Sequence, residues 1–263
     1  REPVLLLPRP GKSAQRLKAL QKLLPGADAE EMVGRAPGLL SSHHPKALRN
    51  RLKALRNLLL GADAAEMVGR EPGLLSAHTE ELTCSLEALG VLLPGADAAK
   101  LVEKHPLLLL QDAGTMTSNL QALRELLPGA DATDLVCRAP GLLVLRQWQQ
   151  AKRLEALRKL LPKADAEEMV SRAPGLLLLT PVKSAQRLKA LRQLLPGADA
   201  EEMVGRAPGL LSSHHPKALR NRLKALRNLL LGADAAEMVG REPGLLLTHP
   251  EELTSNLKAL REL

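Results

Sequence analysis

Arginine and lysine recur at regular positions along this chain, and they are the residues best suited to do chemistry in it. The 263 residues carry a formal net charge of +8, and the sequence pI is close to 9.7. Cationic side chains at regular spacing bind phosphate groups, so the charge predicts a polyanionic partner, most simply a nucleic acid. We find no Gly-rich phosphate loop, nucleophile elbow or carboxylate pair with a base, and therefore predict neither an enzyme nor a bound cofactor.

The basic residues fall into three columns, and we predict that all three bind nucleic acid. Two columns lie one and four residues after a recurring leucine, and nearby residues extend them. Their members are Lys18, Lys46, Arg49, Lys53, Arg56, Arg124, Arg158, Lys189, Arg192, Lys217, Arg220, Lys224, Arg227, Lys258 and Arg261. Glu87, Gly90 and Gln121 interrupt these columns near the middle of the chain, so the predicted track is discontinuous there.

The third column stands two residues before a recurring proline. It consists of Arg35, Arg70, Lys104, Arg138, Arg172, Arg206 and Arg241. Basic residues at the end of a helix also offset the helix dipole without any ligand. The sequence therefore leaves two interpretations of this column open: phosphate contact or helix stabilisation.

The columns arise because the sequence repeats internally, with a period of 34 or 35 residues. Eight copies are marked by a proline that precedes leucine-rich residues: Pro3, Pro37, Pro72, Pro106, Pro140, Pro174, Pro208 and Pro243. A longer duplication lies over this period. Residues 12–75 match residues 183–246 except that Gln21 and Lys22 correspond to Arg192 and Gln193.

Each copy predicts a long helix, a short helix and a tight turn. In the second copy, leucines at helical spacing predict a first helix over 46–60 that buries one leucine stripe and ends at Gly61. Asp63 is the predicted N-cap of the second helix, with Glu66 completing a capping box. Pro72 must end that helix, and the leucines after it are expected to insert between layers.

One such unit cannot bury its apolar face alone, so consecutive units must stack. The predicted fold is an all-α solenoid, a superhelix whose hand the sequence leaves open, over residues 1–263 as a single array. Neither end carries a polar capping repeat, and we expect the chain to be a segment of a longer array. No apolar run approaches the ~20 residues of a membrane span, so we predict no membrane partner.

The repeat resembles the mitochondrial transcription termination factor (mTERF) family. The segment 68–75, Val-Gly-Arg-Glu-Pro-Gly-Leu-Leu, carries that family's pattern and is followed by Leu82, Leu86, Leu89 and Leu92. The resemblance covers all eight copies. It implies two α-helices and a 3₁₀ turn per repeat, a location in mitochondria or alternatively chloroplasts, and nucleic-acid binding in transcription termination, RNA maturation or ribosome biogenesis.

Other residues with chemical potential are isolated. The pairs His43-His44 and His214-His215 have no Cys or carboxylate at ligand spacing, so we predict no metal site. Cys84 and Cys137 occupy unrelated positions in the repeat and are expected to be unpaired thiols. Trp148 is the one aromatic residue. It could stack on a base, but we expect it to be buried against a neighbouring repeat.

Two classes of function stay open on the sequence alone. In the first, the array contacts the phosphate backbone of structured RNA, such as ribosomal RNA, or of duplex DNA; the expected residence in a larger assembly favours RNA. In the second, it is a protein scaffold whose charges keep it soluble, with ribosomal or other proteins as partners. Because the chain has no Phe or Tyr, it is poorly suited to stacking the bases of a single-stranded nucleic acid.

Overall fold

A computed structural model describes residues 10–41, 45–60, 62–212, 216–229, 234–249, 251–252 and 254–255. Those residues are helical or connect helices, with no strand among them, and this confirms the all-helical repeat fold. The anchor Pro3 lies outside the described residues, as do Gly61, both histidine pairs and the predicted site residues Lys258 and Arg261.

The long helix of each repeat, helix A, spans fourteen residues in every described copy. These helices are α1 (Pro10–Leu23), α4 (Pro45–Leu58), α6 (Thr79–Leu92), α8 (Ala113–Leu126), α10 (Gln147–Leu160), α12 (Pro181–Leu194) and α15 (Pro216–Leu229). The predicted leucine stripe is confirmed in α4, where Leu48, Leu52 and Leu55 are at most 2% exposed. Because these leucines recur every three or four residues, they form a single face that packs inward.

The short helix, helix B, is a seven-residue segment that begins after an aspartate. These helices are α2 (Ala29–Arg35), α5 (Ala64–Arg70), α7 (Ala98–Lys104), α9 (Ala132–Arg138), α11 (Ala166–Arg172), α13 (Ala200–Arg206) and α16 (Ala235–Arg241). The predicted cap is confirmed: the Asp63 carboxylate accepts hydrogen bonds from the amides of Ala65 at 2.9 Å and Glu66 at 3.0 Å. Such a cap satisfies amides that have no partner inside the helix.

A tight turn closes each repeat after the anchor proline. It is a 3₁₀ helix in η1 (Pro72–Leu75), η2 (Pro106–Leu110), η3 (Pro140–Leu143), η4 (Pro174–Leu178) and η5 (Pro243–Leu246). In α3 (Gly38–Ser41) and α14 (Gly209–Ser212) the same segment is one α-helical turn. Leu74 and Leu75 are fully buried, as the sequence predicted, because the turn pushes both side chains into the core between helices A and B.

The chain divides into two compact units, residues 1–120 and 121–263. In the first unit α4 packs against α1 and α6, and in the second α12 packs against α10 and α15. Consecutive helices A are therefore neighbours in each unit, and equivalent residues of successive repeats stand side by side. This stacking turns a sequence repeat into columns on a surface.

The aspartate caps predict how stability responds to acid. Hydrogen bonding from the Glu168 amide lowers the pKa of Asp165 from its ordinary value of 3.8. A carboxyl whose pKa is lower in the folded state stabilises the fold above its unfolded pKa and loses that contribution as pH falls through the folded value. Thermal unfolding followed by circular dichroism should therefore show a melting temperature that drops below about pH 4.

Asp165→Asn provides the control for this effect, because asparagine caps a helix but does not titrate. The melting temperature of this variant should fall less steeply below pH 4 than that of the native chain. Equal slopes for the two proteins would show that the cap does not contribute to the acid sensitivity.

Candidate nucleic-acid interface

The exposed side of helix A carries the first two predicted columns. At about 100° per residue, Lys46, Arg49, Lys53 and Arg56 fall within an arc of roughly 80° on α4, on one flank of the leucine stripe. The structure leaves all four exposed. Exposure extends to the other predicted helix-A residues that are described: Lys18, Arg124, Arg158, Lys189, Arg192, Lys217, Arg220, Lys224 and Arg227.

Two helices concentrate this positive charge. We call Lys46, Arg49, Lys53 and Arg56 on α4 the first basic face, and Lys217, Arg220, Lys224 and Arg227 on α15 the second basic face. Neither helix contains an acidic residue. The remaining exposed positions beside the first face are the amides Asn50 and Asn57. Both faces therefore offer only cationic and amide groups to solvent.

On α10 and α12 the arginine of the second column is neutralised by an acid of the following helix B. Arg158 donates to the Glu167 carboxylate through Nε at 2.9 Å, and Arg192 lies 2.7 Å from Glu201. The position of those glutamates is taken by Ala65 after α4 and by Ala236 after α15. Within the described residues, Arg56 and Arg227 consequently form no ion pair, although their relatives on α10 and α12 do.

Arg56 and Arg227 also mark the edge of two equivalent grooves between consecutive helices B. The groove beside Arg56 has a volume of about 720 Å³ and the groove beside Arg227 about 640 Å³. Carboxylates line both, Asp28 and Glu66 among those of the first groove. Because these acids repel phosphate, an anionic ligand is expected on the side of the face that carries the lysines.

The middle of the array presents a different surface. The exposed side of α6 carries Glu80, Glu87 and Val91, which is 84% exposed. On α8, Arg124 is followed by Glu125, whose carboxylate accepts a hydrogen bond from Gln121 at 3.0 Å. The predicted interruption of the basic track therefore falls on exposed positions, and the charge there is acidic or neutral.

The third column has a structural role that the structure makes visible. Its guanidinium groups donate to the last carbonyls of helix B in the following repeat, as in Arg172 Nη1 to the Gly205 oxygen at 3.2 Å. We call this set the arginine ladder: Arg35, Arg70, Arg138, Arg172 and Arg206. Those carbonyls lack partners inside their own helix, so each ladder arginine caps the helix of its neighbour.

These hydrogen bonds favour helix stabilisation, and not phosphate contact, as the role of the third column. Nucleic-acid binding by the third column stays a prediction. Each arginine is exposed at the end of its helix, and most also lie near an acid one turn earlier, as Arg138 does at 2.7 Å from Asp134. The carbonyls and the acid together use much of the guanidinium's hydrogen-bonding capacity. Lys104 stands in the same column but has no planar fork for bidentate contact.

A second set of arginines was missed by sequence reasoning. Each lies directly before a leucine of helix A, as Arg51 does before the buried Leu52, and donates to the turn that closes the same repeat: Arg51 Nη1 lies 2.7 Å from the Leu75 oxygen. Arg16, Arg153, Arg187 and Arg222 make equivalent contacts. Burial lowers the pKa of Arg153. The available signal in the sequence was that each of these arginines precedes a leucine of the turn by 24 residues.

The third and fourth copies replace these arginines by shorter polar side chains. Ser85 is 8% exposed and its Oγ donates to the Gln111 oxygen at 2.9 Å. Asn119, at the same position in the next copy, is 3% exposed. The position is therefore a structural polar site in every described repeat, and it does not belong to a ligand surface.

The expectation that Trp148 is buried is wrong. It lies in the first turn of α10 and is 58% exposed, on the same side of helix A as the basic columns. Val182, at the equivalent position of α12, is 65% exposed. Both residues stand six positions before a buried leucine of their helix, Leu154 or Leu188, which places them on the side of helix A opposite the core.

The structure assigns no binding role to the cysteines. Cys84 is exposed and Cys137 is half-buried, and both are free thiols. In the described part of the chain, no group of histidine, cysteine, aspartate and glutamate is arranged to hold a metal ion. Among the same residues, no helix combines the length and apolar character needed to cross a bilayer.

Comparison with known proteins assigns the chain to a family. A search of curated proteins finds no significant match. The family model for mTERF matches residues 17–262, nearly the whole of the chain. Members of that family are nucleic-acid-binding regulators of mitochondria or chloroplasts. The match runs through the described helical repeats, and on this evidence the chain belongs to the mTERF family.

Proposed function

We propose that this chain binds the phosphate backbone of nucleic acid through the exposed faces of its helices A, inside the mitochondrion. Structured RNA, such as ribosomal RNA, is the favoured ligand over duplex DNA, and the process served is transcription termination or regulation, or ribosome assembly. One observation carries the proposal: the acid-free basic face of α4, which recurs unchanged on α15. Stacked like charges repel each other, and a polyanion laid along them relieves that repulsion.

The preference for structured RNA rests on the exposed asparagine amides that lie beside the cationic side chains. Asn50 and Asn57 are exposed beside the first basic face, and their amides both donate and accept hydrogen bonds. The 2′-hydroxyl groups of an A-form helix do the same and lie in a wide, shallow groove next to the phosphates. A single exposed tryptophan cannot form a row of stacking platforms for a single strand.

A protein scaffold is the second candidate, and the surface of α6 favours it. Val91 is 84% exposed there, one turn after Glu87, and Leu60, just after helix α4 of the preceding repeat, is 85% exposed. An exposed apolar side chain beside acids suits a basic or apolar protein partner better than it suits a phosphate backbone.

Trp148 offers a direct test because it is the only aromatic residue and lies on the proposed interface. We expect its fluorescence to change when structured RNA is titrated, with log Kd rising linearly against log salt as counterions are released. Duplex DNA should bind more weakly and single-stranded RNA weakest. Charge reversal of Lys53 and Lys224 together should raise Kd and flatten the salt dependence, because two phosphate contacts are lost.

Charge reversal of Lys22 and Lys100, which lie outside the predicted site, is the matched control and should leave the titration nearly unchanged. Equally weak binding of all three polymers, lost near physiological salt, would contradict the proposed function. Pull-down of a protein partner through the α6 surface would then support the scaffold instead.

A further inference from the structure

The two basic faces are the same surface occurring twice. Helices α4 and α15 share the sequence Pro-Lys-Ala-Leu-Arg-Asn-Arg-Leu-Lys-Ala-Leu-Arg-Asn-Leu. They bury equivalent leucines and expose equivalent basic side chains. Their surroundings agree as well: Ala65 and Ala236 lie in the first turn of the next helix B, and Arg51 and Arg222 donate to the turn that closes the same repeat. The preceding helix A packed against each face also matches, except that Gly11, Gln21 and Lys22 on α1 correspond to Val182, Arg192 and Gln193 on α12. Because the two faces carry the same side chains in nearly the same surroundings, they are suited to the same chemical group.

One copy lies in each compact unit. The first basic face belongs to residues 1–120 and the second to residues 121–263. Each unit therefore holds a whole site, built from one helix and the repeat behind it.

Acidic residues interrupt the positive charge on three of the intervening helices A, α6, α8 and α10. Glu80 and Glu87 make the exposed side of α6 acidic, and on α8 the exposed Arg124 is followed directly by the exposed Glu125. On α10, Lys159 lies 2.6 Å from Glu155. On α10 and α12 the second-column arginines are held by acids of helix B. Positive charge is thus mixed with acids from α6 to α10, while α12, which contains no acid and exposes Lys183 and Lys189, packs against α15 in the second unit.

We propose that the chain is a bivalent binder, which holds two copies of the same phosphate-bearing element of one RNA, one on each basic face. This inference rests on the proposed function. Once the first element is bound, the RNA segment that joins the two elements keeps the second close to its face at a high effective concentration. Two modest affinities therefore combine into a strong one. A ligand with a single element gains nothing from the second face beyond a doubled number of sites.

The test uses the full chain and two RNA probes: one short hairpin alone, and two copies of it joined by oligouridine linkers of increasing length. At the best linker length the tandem probe should bind about 10² to 10⁴ times more tightly than the single hairpin. Reversing the first face (K46E, R49E and K53E) should reduce tandem affinity to that of the single hairpin. Reversing the second face (K217E, R220E and K224E) should have the same effect, and reversing both should abolish binding.

A matched variant places the same charge change between the sites, at exposed positions at the start of α10 and within it: R146E, K152E and K159E. The bivalent arrangement predicts that this variant keeps most of the gain of the tandem probe. Melting temperatures should be close to native in all variants, because every replaced side chain is exposed.

The outcomes separate this inference from the function on which it rests. If the native chain binds the single hairpin with a salt-dependent Kd but gains nothing from the tandem probe at any linker length, bivalency is wrong and the proposed function stands. Equal losses for the intervening variant and for either face would replace two sites by one continuous track. No salt-dependent binding of either probe would overturn both proposals.

Discussion

Replacing Arg172 by lysine is expected to lower the free energy of unfolding by about 1 kcal/mol while leaving the affinity for nucleic acid unchanged. The guanidinium of Arg172 donates to the carbonyls of Gly205 and Arg206 in the next repeat. Hydrogen bonds from charged donors contribute ~1.5–3 kcal/mol when sheltered, and the 48% exposure of this side chain reduces that figure. Lysine keeps the positive charge but cannot reach two carbonyls with a planar fork.

The measurement is chemical denaturation followed by circular dichroism, paired with the RNA titration. Glu168→Gln is the control, because it removes only an exposed ion pair 4.0 Å from Arg172 and should cost at most a few tenths of a kcal/mol. If Arg172→Lys leaves stability unchanged and Arg172→Ala weakens RNA binding, the ladder arginine is a phosphate ligand and its structural role is minor.

Replacing Leu176 by alanine is expected to destabilise the array most, by about 2–5 kcal/mol. Leu176 lies in η4 and is fully buried between the helices of its repeat and the next turn. Its removal takes away buried apolar area and leaves a cavity that the closed turn cannot fill by moving. Because the stability of a repeat array is a sum of local and neighbour terms, the loss should be centred on this repeat.

Hydrogen exchange of backbone amides measures that locality. Amides of α10 to α13 should lose more protection than those of α4 and α5, which belong to the other unit. Leu178→Ala is the control within the same turn, since Leu178 is 38% exposed and should cost less than about 1 kcal/mol. Similar losses for the two variants would mean that η4 does not hold the repeats together by burial.

Local rules explain why so much of this fold follows from the sequence. The Asp63 cap, the leucine stripe of α4 and the stop at Pro72 each depend on residues within one or two helical turns. A cap needs only amides two or three residues ahead, and a stripe needs only helical periodicity. Eight copies in register repeat the same information, which makes the period and the elements unambiguous.

Some features of the candidate site also follow from local sequence, and others depend on how the helices pack. Exposure of Lys53 and Arg56 follows from their angle to the leucine stripe, so the first two columns could be placed from the sequence. The acid that neutralises Arg158 lies on another helix, nine residues away, and its absence opposite Arg56 becomes meaningful only when helices A and B are docked. Whether an arginine of the second column is paired with an acid is therefore a property of the tertiary structure.

By itself the sequence determined the repeat, the element order, the caps, the buried leucines and the positions of the basic columns, because each is set by interactions over a few residues. Only the tertiary structure decided what each arginine does. Arg172 reaches carbonyls 33 and 34 residues away, Arg51 reaches a turn 24 residues away, and Trp148 stays outside the core. Periodicity places a side chain on a helix, but its partners are chosen by the neighbouring repeat that packs against it.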